Sequence, residues 1–374
     1  MQDGKKVLGI IFSNMHDEML RELTERRTMA SVPFGGRYRF IDFALSSFVN
    51  SNIQSVGVIT KSNYQSLMDH LGSGREWDLA RKREGLFILP PFGNAGAGIY
   101  RGRIEALSGI LGFIRHSSAR YVALADCDTI CNIDVREVVA AHIEKEAEIT
   151  IVYQKKTLTP DNARDATILS CDASGRVRDV MLTPDVGGER FVSLNLMVME
   201  KLLLERLVVE NMSRNLYSLE RDVLQARASQ LKIYGYEYTR FCAKIDSMRD
   251  YYDANMLMLR KEVRDELFLP HRPIYTKVRD DMPARYGLNA QVTNSLIADG
   301  CTIEGEVENS ILFRGVTVGK GAKVQNSIIM QDTSVGDKSV LGYCITDKDV
   351  TIKDNRTLMG YLSYPVFIAK GSVV

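Results

Sequence analysis

Over the first two-thirds of the chain, short apolar runs alternate with amphipathic stretches, and near residue 270 that alternation gives way to a finer rhythm. Val7-Leu8-Gly9-Ile10-Ile11-Phe12 is an unbroken apolar block, the signature of a strand buried on both faces. Residues 8–12, 55–60, 121–125, 149–154 and 167–171 read as strands, and 191–199 continues the pattern. Residues 40–51, 64–71, 104–116, 135–146 and 212–229 read as helices. Strands alternating with helices predict a doubly wound, Rossmann-like α/β sheet that binds ligands beyond the carboxyl ends of its strands.

Pro270, Pro273 and Pro283 punctuate the change of texture. Beyond Tyr286 helical periodicity stops, and aliphatic residues followed by glycine turns recur at short intervals. Ile297 and Ile303 are six residues apart, as are Val318 and Val324. Asn-Ser-aliphatic triplets recur at Asn294, Asn309 and Asn326. Six-residue spacing of inward aliphatics predicts a left-handed parallel β-helix with a triangular cross-section. A small β-sandwich would alternate with period two instead. The expected organisation is a sheet domain over 1–270, a linker over 271–285 and a β-helix domain over 286–374.

A chain of 374 residues exceeds one ordinary compact core, which agrees with two domains. Its 48 Lys+Arg against 47 Asp+Glu give no electrostatic argument for nucleic acid or a membrane surface. No apolar run is long enough to span a bilayer, and the first apolar run is too short for a signal peptide, so a cytoplasmic location is expected. The six cysteines are scattered, at positions 127, 131, 171, 242, 301 and 344. A lone CxxxC at 127 and 131 is a weak metal signal beside structural thiols in a reducing compartment.

Leu20-Arg21-Glu22-Leu23-Thr24, followed by Val32-Pro33-Phe34-Gly35-Gly36-Arg37-Tyr38-Arg39-Phe40-Ile41-Asp42-Phe43, resembles the glucose-1-phosphate adenylyltransferase family of sugar nucleotidyltransferases. The β-helix also fits that family, so the resemblance runs the length of the chain in order. Its catalytic members transfer adenylate from ATP to glucose 1-phosphate and release pyrophosphate. They carry a glycine-rich, arginine-containing loop after the first strand and a Lys-Pro pair before the VPFGG stretch. Here the loop reads Ser13-Asn14-Met15-His16-Asp17-Glu18-Met19, and Met29-Ala30 stand for Lys-Pro. Glycine lets backbone N–H groups approach phosphates, and arginine and lysine neutralise the transferring group. Carboxylates at Asp17 and Glu18 would repel it.

The resemblance also implies a magnesium ion held by two aspartates. The first corresponds to Asp128, at the end of Tyr121-Val122-Ala123-Leu124-Ala125-Asp126-Cys127-Asp128, with Asp134 six residues on. Asp126 and Asp128 lie two apart on one face of an extended chain, which leaves a weak cation site open. The second aspartate corresponds to Lys244, a cation where the ion's ligand should be, with Asp246 able to replace it only after a two-residue register shift. The family's sugar-phosphate lysine corresponds to Thr183, in Leu182-Thr183-Pro184. In Tyr100-Arg101-Gly102-Arg103-Ile104-Glu105-Ala106, Arg101 and Gly102 match the nucleotide motif while Arg103-Ile104 replace small residues. A pocket glycine becomes Asn195. Losing one phosphate donor typically costs about 10²–10³ in rate. Arg37 and Arg39 survive beside a glycine pair, where the resemblance implies an anion or effector site.

Three readings follow. The chain is a noncatalytic or weakly catalytic modulatory subunit of a heteromeric enzyme, of GlgD type, in glycogen biosynthesis. It is an active nucleotidyltransferase with an unusual loop. Or it is a free-standing sugar-phosphate or nucleotide sensor. The first accounts for a kept scaffold with selectively lost chemistry. It implies a catalytic partner subunit that alone holds Mg²⁺, a heterotetramer, a phosphorylated effector, and no functional catalytic or metal residues in this chain.

Overall fold

The computed structural model describes residues 7–91, 100–158, 166–183 and 187–374. It resolves into two compact units, the first of Met1–Met15, Phe43–Lys244 and Pro270–Tyr275, the second of His16–Asp42, Ile245–Leu269 and Thr276–Val374.

The first unit is built on a nine-stranded mixed sheet. Strand Val7–Phe12 is buried throughout and pairs in parallel with Ser55–Ile59 and Tyr121–Asp126. Gly9 sits where a Cβ would meet the Phe48 ring at 2.5 Å, so the helix over this strand packs only on a glycine. Gly85–Leu89 extends the parallel part. Gly188–Glu200 then runs antiparallel to Tyr121–Asp126, with Ile149–Leu158 along its other edge, while Thr167–Cys171 pairs with its first half on the edge opposite Ile149–Leu158. The sheet is therefore parallel at its centre and antiparallel at one flank.

Helices Phe40–Asn50, Gln65–Leu71 and Val135–Glu144 lie where the periodicity places them. Asp134 caps the last, its carboxylate accepting from the Arg136 amide at 3.0 Å. The single helix expected over 104–116 is two, Arg103–Gly109 and Leu111–His116, hinged at Ile110. The helix expected over 212–229 is a correction. The regular helix is Lys201–Ser213, it stops at Asn215 with φ 58°, and a π-helical turn, Glu220–Gln225, follows. Asn215 tolerates the left-handed region that ends the helix, while its neighbours keep an apolar spacing that reads as continuous. Residues 271–275, expected as linker, group with the first unit, the Arg272 and Pro273 carbonyls accepting from Asn132 and Asn50 at 2.7 and 2.9 Å.

In the second unit three parallel five-stranded sheets form the faces of a β-helix. Each coil adds one strand to each face, so equivalent residues stack: Ile303, Val318, Val335 and Ile352 on one face, Val307, Val324 and Leu341 on the next, Leu312 and Ile329 on the third. Corners are turned at Asn294, Asn309 and Asn326, with φ of 42°, 46° and 48°. The following serines form a ladder: the amides of Ser310, Ser327 and Cys344 each donate to the serine hydroxyl of the coil before, at 3.1 Å. The Asn-Ser repeat thus supplies a turn and a hydrogen-bond partner together.

Packing within this unit runs across the sequence division at 270. Tyr251 Oη donates to Pro33 O and Tyr252 Oη to Asn326 O, both at 2.7 Å. Gly35 N donates to Asn255 Oδ1 at 2.9 Å, and Arg27 pairs with Asp347 at 2.8 Å with both side chains buried. Ile329, wholly buried in its stack, sets the expectation for stability. Ile329→Ala should cost about 2–5 kcal/mol, whereas Lys323→Ala on the outer face should stay within about 0.5 kcal/mol, as measured by chemical denaturation followed by circular dichroism.

Candidate functional site

In the first unit the chemistry-bearing positions gather at the carboxyl end of Tyr121–Asp126. Asp128 is buried just beyond that strand. Its carboxylate accepts from Thr129 Oγ1 at 3.0 Å and from Asn195 Nδ2 at 2.9 Å. Asn195 sits at a register shift in Gly188–Glu200 with φ 54°, a conformation that suits glycine first and asparagine next. The side chain that replaces the expected glycine therefore reaches the aspartate directly.

Strand Cys242–Lys244 runs antiparallel to Thr129–Cys131, with Lys244 opposite Thr129, Ala243 opposite Ile130 and Cys242 opposite Cys131. The lysine is buried beside the residue that follows Asp128. Asp246 falls beyond the strand, before Ser247 caps helix Met248–Leu257, so the two-residue shift that would exchange them is not the register adopted. Cys131 faces Cys242 as a thiol.

Arg103 is the centre of the strongest charge network here. Its guanidinium pairs with Asp126 through Nη2 and with Glu220 through Nη1, and its Nε lies 3.4 Å from Asp126 Oδ1. It also lies over the Phe12 ring, 5.6 Å from the centroid. Burial opposes the charge on Arg103, but the carboxylates of Asp126 and Glu220 outweigh it and raise the pKa further, with Asp128 adding to the effect. Glu220 comes from the π-helical turn, where its neighbour Asp222 takes the Tyr217 and Ser218 amides. Arg101 points outward, paired with Glu105 and stacked on Tyr217. Gly102 has a structural reason of its own, since a Cβ there would meet the Tyr217 carbonyl oxygen at 2.4 Å. Thr183 is exposed with φ 49° at the end of Val177–Leu182, and Pro184 lies outside the described residues.

In the second unit Asp17 ties its part of the loop to residues 24 and 29. Asp17 Oδ1 accepts from the Met29 amide at 2.8 Å, and the Asp17 carbonyl accepts from Thr24 Oγ1 at 2.6 Å. Met29 is a core side chain in the turn Met29–Ser31.

Arg37 and Arg39 flank Tyr38 in a tight hairpin turned at Gly35 and Gly36, whose φ values are 60° and 81°. They serve two different clusters. Arg37 lines a cavity of about 280 Å³ with Arg264, Arg314, Tyr38, Phe268 and Ile297. Arg314 is buried, and its Nε and Nη2 have no hydrogen-bond partner among the described residues. Its Nε lies 3.7 Å from Asp281. Burial, then the charge of Arg37, lowers its pKa. Arg39 instead belongs with Arg27 and Lys348. Burial first, then Arg39, Arg27 and Lys370, push the Lys348 ammonium down to about 7 against the opposing pull of Asp347. Arg27 Nη1 has no hydrogen-bond partner among the described residues. The sequence singles out Arg37 and Arg39. Arg264, Arg314, Arg27 and Lys348 come from distant stretches that carry no local motif.

An α/β nucleotidyltransferase-type unit joined to a hexapeptide β-helix is the class these features define. Residues 9–185 match the nucleotidyl transferase family, and residues 280–361 match the GlmU-like, C-terminal hexapeptide family, which makes the β-helix the left-handed kind. The chain is 37% identical over 370 residues to the glycogen biosynthesis protein GlgD of Bacillus subtilis, covering 99% of this chain and 97% of that protein. It is 40% identical over 322 residues to the GlgD of Geobacillus stearothermophilus, covering 86% and 83%. Against the glucose-1-phosphate adenylyltransferase of Pseudothermotoga lettingae it is 31% identical over 323 residues, covering 86% and 76%. The chain belongs to the glucose-1-phosphate adenylyltransferase family, and within it resembles the GlgD-type proteins. No helix among the described residues is long and apolar enough to cross a membrane.

Lys348 would make the binding of an anion beside it depend on pH in a defined direction. Its folded pKa of about 7 is below the ordinary lysine value, so the penalty for its buried charge is present below 7 and relieved as pH rises above it. An anion among Arg27, Arg39 and Lys348 favours the protonated form and therefore takes up a proton on binding. Sulfate, which does not titrate here, should bind more weakly as pH rises from about 6 to about 9. Isothermal titration calorimetry on wild type and Lys348→Met checks this, with the variant's affinity flat across the range.

Proposed function

We propose that this chain is a noncatalytic, modulatory subunit that assembles with a catalytic glucose-1-phosphate adenylyltransferase in glycogen biosynthesis. The observation that carries the reading is the charge around Asp128. A magnesium ion needs carboxylate oxygens turned toward it and phosphate oxygens to complete its shell. Asp128 gives its oxygens to Thr129 and Asn195, Asp126 is paired with Arg103, and the position expected for the second ligand is the buried Lys244. This donor set does not fit the ion. Met29 and Thr183 likewise offer no cation to a phosphate, one lying in the core and the other carrying only a hydroxyl.

What remains suited to a small anion is the pair of basic clusters around Arg37 and Arg39. In this reading they take a phosphorylated or carboxylate effector, and the partner supplies metal and turnover. The catalytic partner, the mixed tetramer and the effector are parts of the proposal. The names of the GlgD relatives support the glycogen context, and their near-complete coverage supports carrying it to this chain.

Co-expression with a catalytic homologue tests the reading. A mixed complex should form, with a kcat or apparent substrate affinity above that of the catalytic subunit alone. Separate elution of the two chains with no kinetic effect would leave the free-standing sensor as the better account. The isolated chain should release no pyrophosphate from ATP and glucose 1-phosphate, and turnover of ordinary size, ~1–10³ s⁻¹, would restore the active-enzyme reading. Asp128→Asn should leave the complex's rate within about twofold, against the 10²-fold or greater loss that removal of a working charge-stabilising group brings. Arg37→Ala and Arg39→Ala should shift the complex's response to phosphorylated effectors more than its unregulated rate, and unchanged effector curves would reduce the hairpin to a solvated turn.

A further inference from the structure

Two carboxylates meet at the carboxyl end of Tyr121–Asp126, and a third faces them across Arg103. Oxygens of Asp126 and Asp128 lie within 4.8 Å of each other, and Glu220 reaches in from the π-helical turn. Asp126 and Asp128 are buried and Glu220 is mostly so. Buried carboxylates at this spacing repel, and an unanswered cluster of this kind either protonates or holds a cation. The Arg103 guanidinium stands among them, with one terminal nitrogen on Asp126, the other on Glu220, and Asp128 within electrostatic reach.

Two sequence features meet in this arrangement. Arg103 stands where the family resemblance implies a small residue. Asp126 provides a second carboxylate one position before Cys127 and two before Asp128. An arginine and an aspartate at these two places compensate each other's charge. The guanidinium fork matches carboxylates on two sides, which a compact ammonium would not.

We propose that the Arg103 side chain is the resident cation of this site, filling by covalent attachment the place that a divalent ion takes among clustered carboxylates, so that the site accepts an ion only when the arginine is removed. The inference concerns the isolated chain and does not rest on the modulatory reading. A chain that failed this test could still modulate a partner, and one that passed could still fail to assemble.

Mn²⁺ binding to the purified full-length chain, read from the loss of the free-ion electron paramagnetic resonance signal, tests it. Wild type should take up no ion at this site. Arg103→Ala should gain one site per chain, at least tenfold tighter than any uptake by wild type, and Arg103→Ala/Asp126→Asn should lose it again. If Arg103→Ala is too unstable to isolate at ordinary temperature, its melting temperature offers the second readout. Millimolar Mn²⁺ should raise it while leaving the wild-type value unchanged, and Arg103→Ala/Asp126→Ala, which removes both charges, should melt above the single variant without added ion. Wild-type uptake that Asp126→Asn abolishes would overturn the proposal, because the site would then hold an ion with the arginine in place. So would an Arg103→Ala chain that neither binds Mn²⁺ nor is stabilised by it.

Discussion

A buried charge has to be answered from within the chain, and that constraint governs both units of this protein. Taking an ion from water costs several kcal/mol even after relaxation, and breaking a buried pair from one side costs about 3–5 kcal/mol. The first unit meets the constraint with Arg103 between Asp126 and Glu220, and with Asn195 and Thr129 on Asp128. The second meets it at Arg27 and Asp347, both nearly without solvent contact. These contacts join stretches that lie far apart in sequence, so the charge balance also fixes which loops can lie together. Glu220 can reach Arg103 only because the chain after Asn215 leaves the regular helix and re-enters as a π-helical turn.

The two units differ in what is left over. Around Asp128 negative and positive groups offset each other and the remaining lone pairs accept hydrogen bonds. Around the Gly35-Gly36 hairpin, cationic groups are incompletely answered among the described residues: Arg314 keeps two nitrogens without a hydrogen bond, Arg27 keeps one, and burial first, then the basic neighbours, push the Lys348 ammonium down to about 7. A surplus of buried positive charge is a standing cost that an anion relieves. The same desolvation that seals one site makes the other responsive.

Much of the fold was legible in the sequence because it depends on short periods. The apolar block 7–12, the alternation that follows and the six-residue spacing after 290 each report a local geometry, and the Asn-Ser triplets report the corners of the β-helix. What escaped was decided over distance. The apolar spacing across 212–229 gives no sign that Asn215 adopts φ 58°. The grouping of 16–42 and 245–269 with the β-helix includes contacts between distant stretches, such as Tyr252 to Asn326 and Arg27 to Asp347, which leave no periodic trace. At the site, the departures from the family pattern at Met29, Thr183 and Lys244 could be read by position, because a methionine, a threonine or a lysine changes the available charge wherever it lies. The compensation could not. Arg103 reads as a bulky intrusion until Asp126 and Glu220 are seen on either side of it, and Arg37 and Arg39 read as one cluster until the hairpin sends them to different neighbours.

A subunit without its own turnover can still set the rate of an assembly, and the magnitudes are within reach of the residues described. A ligand shifts an equilibrium between two states only by the difference in its affinity for them. A tenfold shift requires about 1.4 kcal/mol. A hydrogen bond to a charged group contributes about 1.5–3 kcal/mol, so one contact made in one state and absent in the other supplies it. Arg314, with two nitrogens awaiting an acceptor, and Lys348, ready to take a proton when an anion arrives, each offer such a contact. Neither has to match a transition state, and neither draws on Asp128. On the modulatory reading proposed here, the energy by which the second unit can act is therefore independent of Asp128.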